Sequence, residues 1–385
     1  MNTPYLVFKN LSRNKRRTLL TIAAIALPMF AFTFARTMVD GVNNFLEESN
    51  RKMRVAVHHK LNFTTALPER MRGEIEEIAP PGYIDGVCRF AWFGGSVKNS
   101  KVQFMSFGVD RDTLPNVYKE FEITPEEHAA FQAERRAAIV GKPLADEMNW
   151  KVGDRVTLRG GIPPFPEVEF VIAAIPPKCE LSAFYFGHDY YNEVLKDLGA
   201  GSRGVNNFWM RCSSDNARQW ALSEIDKHFE NTEYETKTEM ESTFVSAFMR
   251  SGGDWVGLVW TVGRMVVLVA VMVALNTMSM AFRERTREMA AMRALGFPAG
   301  RIRNMLLAEG LLLGVIGGLI AVVPPFAITH LGSIRMPGMS AVIKIPLETA
   351  LTALGVATAC GMLAALAPAW LAGRLQVATA LRKVV

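Results

Sequence analysis

Three catalytic signatures are missing from this sequence. It has no G-x-x-x-x-G-K-[ST] loop to cradle a nucleotide triphosphate, so the chain itself is not expected to hydrolyse ATP. It has no H-E-x-x-H and no G-x-S-x-G, which sets aside zinc-protease and serine-hydrolase chemistry. Histidine is scarce, with 6 residues. The adjacent pair His58 and His59 would point to opposite faces of a strand, and a metal site needs more ligands. Cysteine is scarcer still: Cys88, Cys179, Cys212 and Cys360. Only the first three lie outside an apolar run, so at most one disulfide can form among them, and buried free thiols are the expectation.

Acidic residues are absent from some segments and abundant in another. Residues 40–254 hold 33 acids against 25 Lys or Arg, whereas the remainder holds 4 acids against 18 bases. No acid accompanies Lys9, Arg13, Lys15, Arg16 and Arg17, nor Arg374, Arg382 and Lys383. Basic segments flanking apolar runs report membrane orientation, so the overall net charge of +6 does not point to nucleic acid.

What the sequence does have is apolar length. Half of its 385 residues are hydrophobic, and four runs are long enough to span a bilayer: 18–35, 265–282, 310–329 and 349–373. More than 200 residues separate the first two, room for a folded domain. Tyr5–Arg17 has one apolar and one basic face and reads as a helix lying on the inner membrane surface. No clean small-residue cleavage site follows, so the first run is read as an uncleaved span, kinked at Pro28. Arg264 is read as snorkelling at an interface, and Asn276 as making a helix–helix hydrogen bond. Gly310, Gly314, Gly317 and Gly318 offer a small-residue packing face, and Pro324 and Pro325 are expected to end or bend the third span.

Between the spans, 83–93, 102–109, 155–158 and 168–175 read as strands. Residues 68–78, 125–137, 190–198 and 216–230 read as helices, which together predict a compact α+β or α/β domain. Residues 138–158 read as strand, Gly turn, helix, K-V-G-D turn and strand, and Gly160–Pro166 as a loop. Residues 40–54 and 237–256 read as two helical stalks joining this domain to the spans, the second broken at Ser251-Gly252-Gly253.

The organising stretch is 280–320. It carries Arg283, Arg285, Arg287, Arg293, Arg301 and Arg303 but only Glu284, Glu288 and Glu309, the mark of a short cytoplasmic loop. Met289, Met292 and Leu295 recur at helical spacing, Gly296 supplies a stop, and Pro298 can open the next helix. Such a helix can rest on the headgroups or sit in the groove of a partner.

These residues resemble the signature of FtsX/MacB-type ABC transporter permeases. E-R-x-x-E-[IM] is met by Glu284, Arg285, Glu288 and Met289, and R-A-L-G by Arg293, Ala294, Leu295 and Gly296. Ile302, Leu307, Glu309 and Gly310 complete the third part. The start is similar too, at Asn10, Leu11, Arg13, Arg17, Leu20 and Thr21. So is the exterior-domain segment carrying Gly141, Leu144, Ala145, Val152, Gly153 and Asp154. At the end, Pro368, Ala369, Ala372, Arg374, Ala380, Leu381 and Arg382 match, with Val377 where the family usually has Pro.

The reading is a membrane protein of four transmembrane helices with a large extracytoplasmic α+β domain inserted between spans 1 and 2. Its segments are 1–17 (cytoplasmic amphipathic helix), 18–39, 40–255 (the inserted MacB-like domain), 256–282, 283–309 (coupling helix and loop), 310–330, 331–348, 349–373 and 374–385. The resemblance implies a type VII, mechanotransmission permease subunit. It would pass the motion of a separate ATPase to the exterior domain, which exports or extracts a lipoprotein, peptide, antibiotic or similar molecule. The alternative is a regulatory membrane protein whose outer domain controls a partner such as a cell-wall hydrolase. An export subunit carrying substrate through the bilayer itself would want polar span linings, and the spans offer little beyond Asn276. The coupling residues would be Glu284, Arg285, Glu288, Met289, Met292, Arg293, Leu295 and Gly296. The implied partners are two copies of an ABC ATP-binding subunit, which binds ATP and Mg, and a second or homologous permease. A periplasmic adaptor or outer-membrane protein is allowed for. The chain itself is expected to hold no cofactor, no metal and no nucleic acid. Its place would be the inner membrane, with both termini cytoplasmic.

Overall fold

The computed structural model describes residues 15–374 apart from 99, 101, 103, 252, 332–334, 337–338 and 343. The inner-surface helix before residue 15, the tail motif beyond Arg374 and Gly252 of the expected break lie outside the described residues. Contacts group the chain into two units: Met1–Val42, Asp254–Ile334 and Ile343–Val385, and separately Asn43–Gly253 with Arg335–Val342.

The first element, α1 (Lys15–Arg51), passes Pro28 without a break and ends just before the first strand. There follow β1 (Arg54–His59), α2 (Met71–Ile78), β2 (Ile84–Trp92), β3 (Ser96–Val97), β4 (Met105–Val109), α3 (Leu114–Val117) and α4 (Pro125–Ala133). The chain continues through β5 (Ala137–Val140), α5 (Lys142–Met148), β6 (Arg155–Arg159), β7 (Glu167–Ala174) and β8 (Ala183–Gly187). The domain closes with α6 (His188–Asp197), β9 (Asn207–Cys212), α7 (Asp215–His228), β10 (Thr236–Met240) and α8 (Glu241–Ser251).

The ten strands form one mixed sheet in the order β10-β1-β9-β2-β4-β8-β5-β7-β6-β3, parallel only at β4–β8 and β5–β7. Period-two alternation sorts its side chains onto two faces. Val55, Val57, Phe184, Phe186, Phe208 and Met210 enter one core with Met71 and Ile75 of α2, Leu195 of α6 and Ile225 of α7. Ala56, Tyr185 and Trp209 enter the other with Val117 of α3, Phe131 of α4 and Phe244 of α8.

Local chemistry fixes several joints. A capping box starts α4: Glu127 N–H donates to Thr124 Oγ1 at 3.2 Å, and Thr124 N–H to Glu127 at 2.9 Å. In the K-V-G-D turn Gly153 takes φ +93°, and Lys151 N–H donates to Asp154 Oδ2 at 2.8 Å.

Three expectations need correction. The segment 237–256 is not a helical stalk. Its start is edge strand β10, paired antiparallel with β1, and α8 then packs Phe244 into the sheet's second core. The helix expected over 125–137 stops at Ala133, because Ala137 already belongs to β5. The segment 331–348, between the last two spans, contains a two-stranded ribbon, β11 (Arg335–Met336) and β12 (Met339–Val342).

The span unit resumes with α9 (Trp255–Glu284), α10 (Thr286–Ala294), α11 (Ala299–Leu331) and α12 (Leu347–Gly373). Together with α1, helices α9, α11 and α12 are long and apolar enough to cross a membrane. Pro324 and Pro325 do not end α11, which runs on to Leu331.

The small-residue face works as read. A Cβ on Gly310 would stand 2.5 Å from both Ala365 Cβ and Gly361 O, and one on Gly314 2.7 Å from Ala357 O, so α11 and α12 touch backbone to backbone. Gly317 instead faces Ile25 of α1. At one end of the bundle Asp40 accepts from Arg36 Nε at 3.1 Å and from the Thr349 hydroxyl, while Arg36 lies over the Trp260 ring.

Candidate coupling surface

The loop between α9 and α11 is built around two structural devices. The first is a helix stop. Gly296 adopts φ +91°, its N–H donates to Arg293 O at 3.0 Å, and Phe297 N–H reaches back to Met292 O at 3.1 Å. This Schellman closure needs a residue free to be left-handed, hence glycine. It ends α10 after little more than two turns, and Pro298 stands directly before α11.

The second device is a buried ion pair. Arg285, which caps the end of α9, places Nη1 3.1 Å from each carboxylate oxygen of Glu309 on α11. Glu309 is only 4% exposed. A pair this shielded is costly to break, because the surviving charge stays desolvated. It pins the start of α10 to α11.

The eight expected coupling residues therefore divide. Met289, 1% exposed, packs with Phe282, Ile302, Leu306, Ala369 and Ala372. It is a core residue of the span unit, which corrects its reading as an outward anchor. Met292 is half-buried against the same cluster, and Arg293 is half-buried. Arg285 points to Glu309, and Gly296 makes the stop. Glu284, Glu288 and Leu295 are exposed, Leu295 by 79%. The face left outward by α10 is Arg287, Glu288, Ala291, Ala294 and Leu295, followed by Arg301 and Arg303 on α11. Leu295 is thus an apolar tip among arginine side chains, next to a helix whose start is tied to α11 through Arg285–Glu309 and whose end is set by Gly296.

The inserted domain carries two polar hubs that periodicity did not reveal. In the first, Arg54 of β1 reaches Glu241 of α8 with Nε at 2.9 Å and Nη2 at 2.6 Å. Arg54 also meets Glu120 and stacks 4.2 Å from the Tyr118 ring centroid. Ser242 bonds Asn50, the second tie between the entering and leaving segments of the domain. In the second hub, buried Asp110 receives Arg89 and Arg72, while Glu69 receives Arg89, Asn192 and Ser202 and lies 3.3 Å from His188 Nε2. The His188 contact, with Ser202 and Asn192, holds the Glu69 carboxyl at about 2. The three cysteines of the domain are free and buried, and burial pushes the Cys179 and Cys212 thiols up to about 12. Among the described residues no group of His, Cys, Asp and Glu could hold a metal ion.

Two family models match the sequence. Residues 18–227 match the MacB-like periplasmic core domain, and residues 260–377 the FtsX-like permease C-terminal region. Among curated relatives, the ABC transporter permease YtrF of Bacillus subtilis (strain 168) is 26% identical over 206 residues, 50% of this chain and 45% of YtrF. The ABC transporter permease MJ1507 of Methanocaldococcus jannaschii is 24% identical over 343 residues, 82% of this chain and 80% of that protein. The macrolide export ATP-binding/permease protein MacB of Syntrophobacter fumaroxidans is 32% identical over 108 residues, 28% of this chain and 15% of MacB. The matched part thus spans less than half the length of YtrF and a small part of MacB. Among solved structures, the extracellular domain of the noncanonical ABC-type transporter YknZ from Gram-positive bacteria aligns with 48% of this chain and 99% of its own. Its TM-score is 0.35 and its identity 13%.

Proposed function

Because this chain belongs to the FtsX/MacB-type family of ABC transporter permeases, we propose that it is the membrane subunit that carries the ATP-driven motion of a separate ATPase to an extracytoplasmic domain. The observation that carries this reading is the α10 surface. Leu295 stands exposed on a helix pinned by Arg285–Glu309 at one end and by the Gly296 stop at the other. Held at both ends, α10 transmits force to α9 and α11 instead of yielding. On the other side, α1 is continuous from Lys15 to Arg51, and the Arg54–Glu241 pair ties the inserted domain's first strand to its last helix.

Two ATPase subunits, each with its own ATP and Mg, would engage two permease copies, with the Arg-rich loop and both basic ends in the cytoplasm of an inner-membrane assembly. The inserted domain would act on a lipoprotein, peptide, antibiotic or similar molecule already outside the bilayer, with or without a periplasmic adaptor or outer-membrane protein. Span interiors filled mainly by Ala, Met and Ile, with the buried glycines of α11, favour this mechanical route over a lined channel.

Co-purification with the ATPase tests the reading. Leu295→Asp should release the ATPase while the permease keeps its fold, because losing an anchor of a protein pocket costs about 2 kcal/mol or more. Full retention of the ATPase by the variant would refute the proposed docking face. Orientation is tested by an outside-active reporter, which should work when fused after Gly201 and fail after Ala299.

A further inference from the structure

Asn276 is the one carboxamide in the four apolar runs. It lies on α9, six residues before Phe282, about 9 Å inside the apolar run at 1.5 Å per residue. Its side chain is exposed on the surface of the bundle, and among the described residues it makes no hydrogen bond, so the helix–helix bond expected of it is not made there.

The face it occupies is ordered. Met265, Val269, Met272 and Asn276 follow one another at spacings of four, three and four, and the first three are exposed. On the opposite side Gly263 meets Phe32 of α1, and Ala270, Ala274 and Met278 enter the bundle core with Ile25, Met29 and Ala357. One side of α9 is thus spent on its own chain. The other is a seam of coiled-coil spacing with a single polar residue in it.

Acyl chains offer an amide neither donor nor acceptor, so an amide facing lipid at this depth is costly. A carboxamide supplies two N–H donors and a carbonyl acceptor, and so complements another copy of itself. A twofold axis beside α9 would set residue 276 against residue 276. We infer that the Met265–Asn276 face of α9 is the membrane-embedded contact between two copies of this chain, with the two Asn276 side chains hydrogen-bonded across the axis and fixing the register. The inference rests on the permease-dimer reading above and assigns the residues that make the dimer.

The test uses the full chain in membranes. The native cysteines are buried, which keeps the oxidation background low. Asn276→Cys and Met272→Cys should each give a disulfide-linked dimer on oxidation with copper phenanthroline, whereas Leu351→Cys and Leu363→Cys, exposed on α12, should not. Dimers linked through α12 in place of α9, or none at all, overturn the inference. In detergent, Asn276→Leu should weaken self-association roughly three- to twenty-fold, the range of interhelical polar contacts in membranes, and Asn276→Gln should largely restore it. Equal association of all three forms also overturns the inference. Capture of the ATPase is followed in the same samples. If α9 fails to cross-link while the ATPase still binds, the coupling function stands and the Asn276 contact falls. If α9 cross-links without the ATPase, the contact stands and the coupling function falls.

Discussion

The two units of this chain are packed by different residues. In the inserted domain the core is aromatic: Phe93, Phe170, Phe184, Phe186 and Tyr191 meet at ring separations from 4.6 Å upward. In the span unit the closest contacts are made by Gly310, Gly314, Gly361, Ala357 and Ala365. Water explains the contrast. A domain folding in water is driven by apolar area removed from solvent, so large rings contribute most. In a bilayer a Leu gains little by leaving lipid for protein, and what remains is close van der Waals approach and internal hydrogen bonding, which small residues permit.

Truncation should therefore hurt the domain most, and enlargement the spans. Phe186→Ala opens a cavity among four rings and should cost the domain about 3–5 kcal/mol, read as a large fall in its unfolding temperature. If the loss were below about 1 kcal/mol, the aromatic cluster would not be the main source of stability. Glu241→Ala leaves Arg54 buried with Glu120 as its remaining partner, and should cost about 3 kcal/mol. Thermal unfolding with retained secondary structure checks it.

On the span side, Gly361→Ala should cost about 1–3 kcal/mol, because the new methyl would meet Gly314 N and Cα at 2.8 Å and neither helix can yield. Detergent-resistance midpoints measure it. An unchanged midpoint would erase the distinction between the two packings.

The smallest effect is a pH dependence confined to the domain. Glu69 sits at about 2 when folded, against its ordinary 4.5. A depressed carboxylate stabilises the fold above about 4.5, and that contribution is lost as pH falls from 4.5 toward 2. Allowing for solvent screening, it should amount to about 1–2 kcal/mol, and Glu69→Gln should flatten the melting temperature across that window.

What could be read without coordinates followed the strength of the local signal. Spans are long, charge-free runs, so all four were legible, as was the Gly296 stop, whose glycine has one conformational reason to be there. β6 and β7 alternate buried and exposed residues and were found; β8 and β9 are buried on both faces, have no period, and were not. The edge strand β10 reads as helix in the sequence because its polar residues pair with β1, a neighbour distant in sequence.

For the candidate coupling surface, the sequence by itself determined that a short Arg-rich helix with an apolar stripe lies between two spans, and the family membership that goes with it. Only tertiary structure decided which way each residue of that stripe faces. Met289 and Leu295 are both apolar and lie six positions apart, one inside a short helix and the other at its C-cap; packing against Phe282 and Ala372 claims the first and leaves the second outside. The Arg285–Glu309 pair was settled in the same way. Periodicity gives the angle between two side chains, but which side is inside depends on where α11 and α12 lie, and that is fixed by glycine contacts far along the chain.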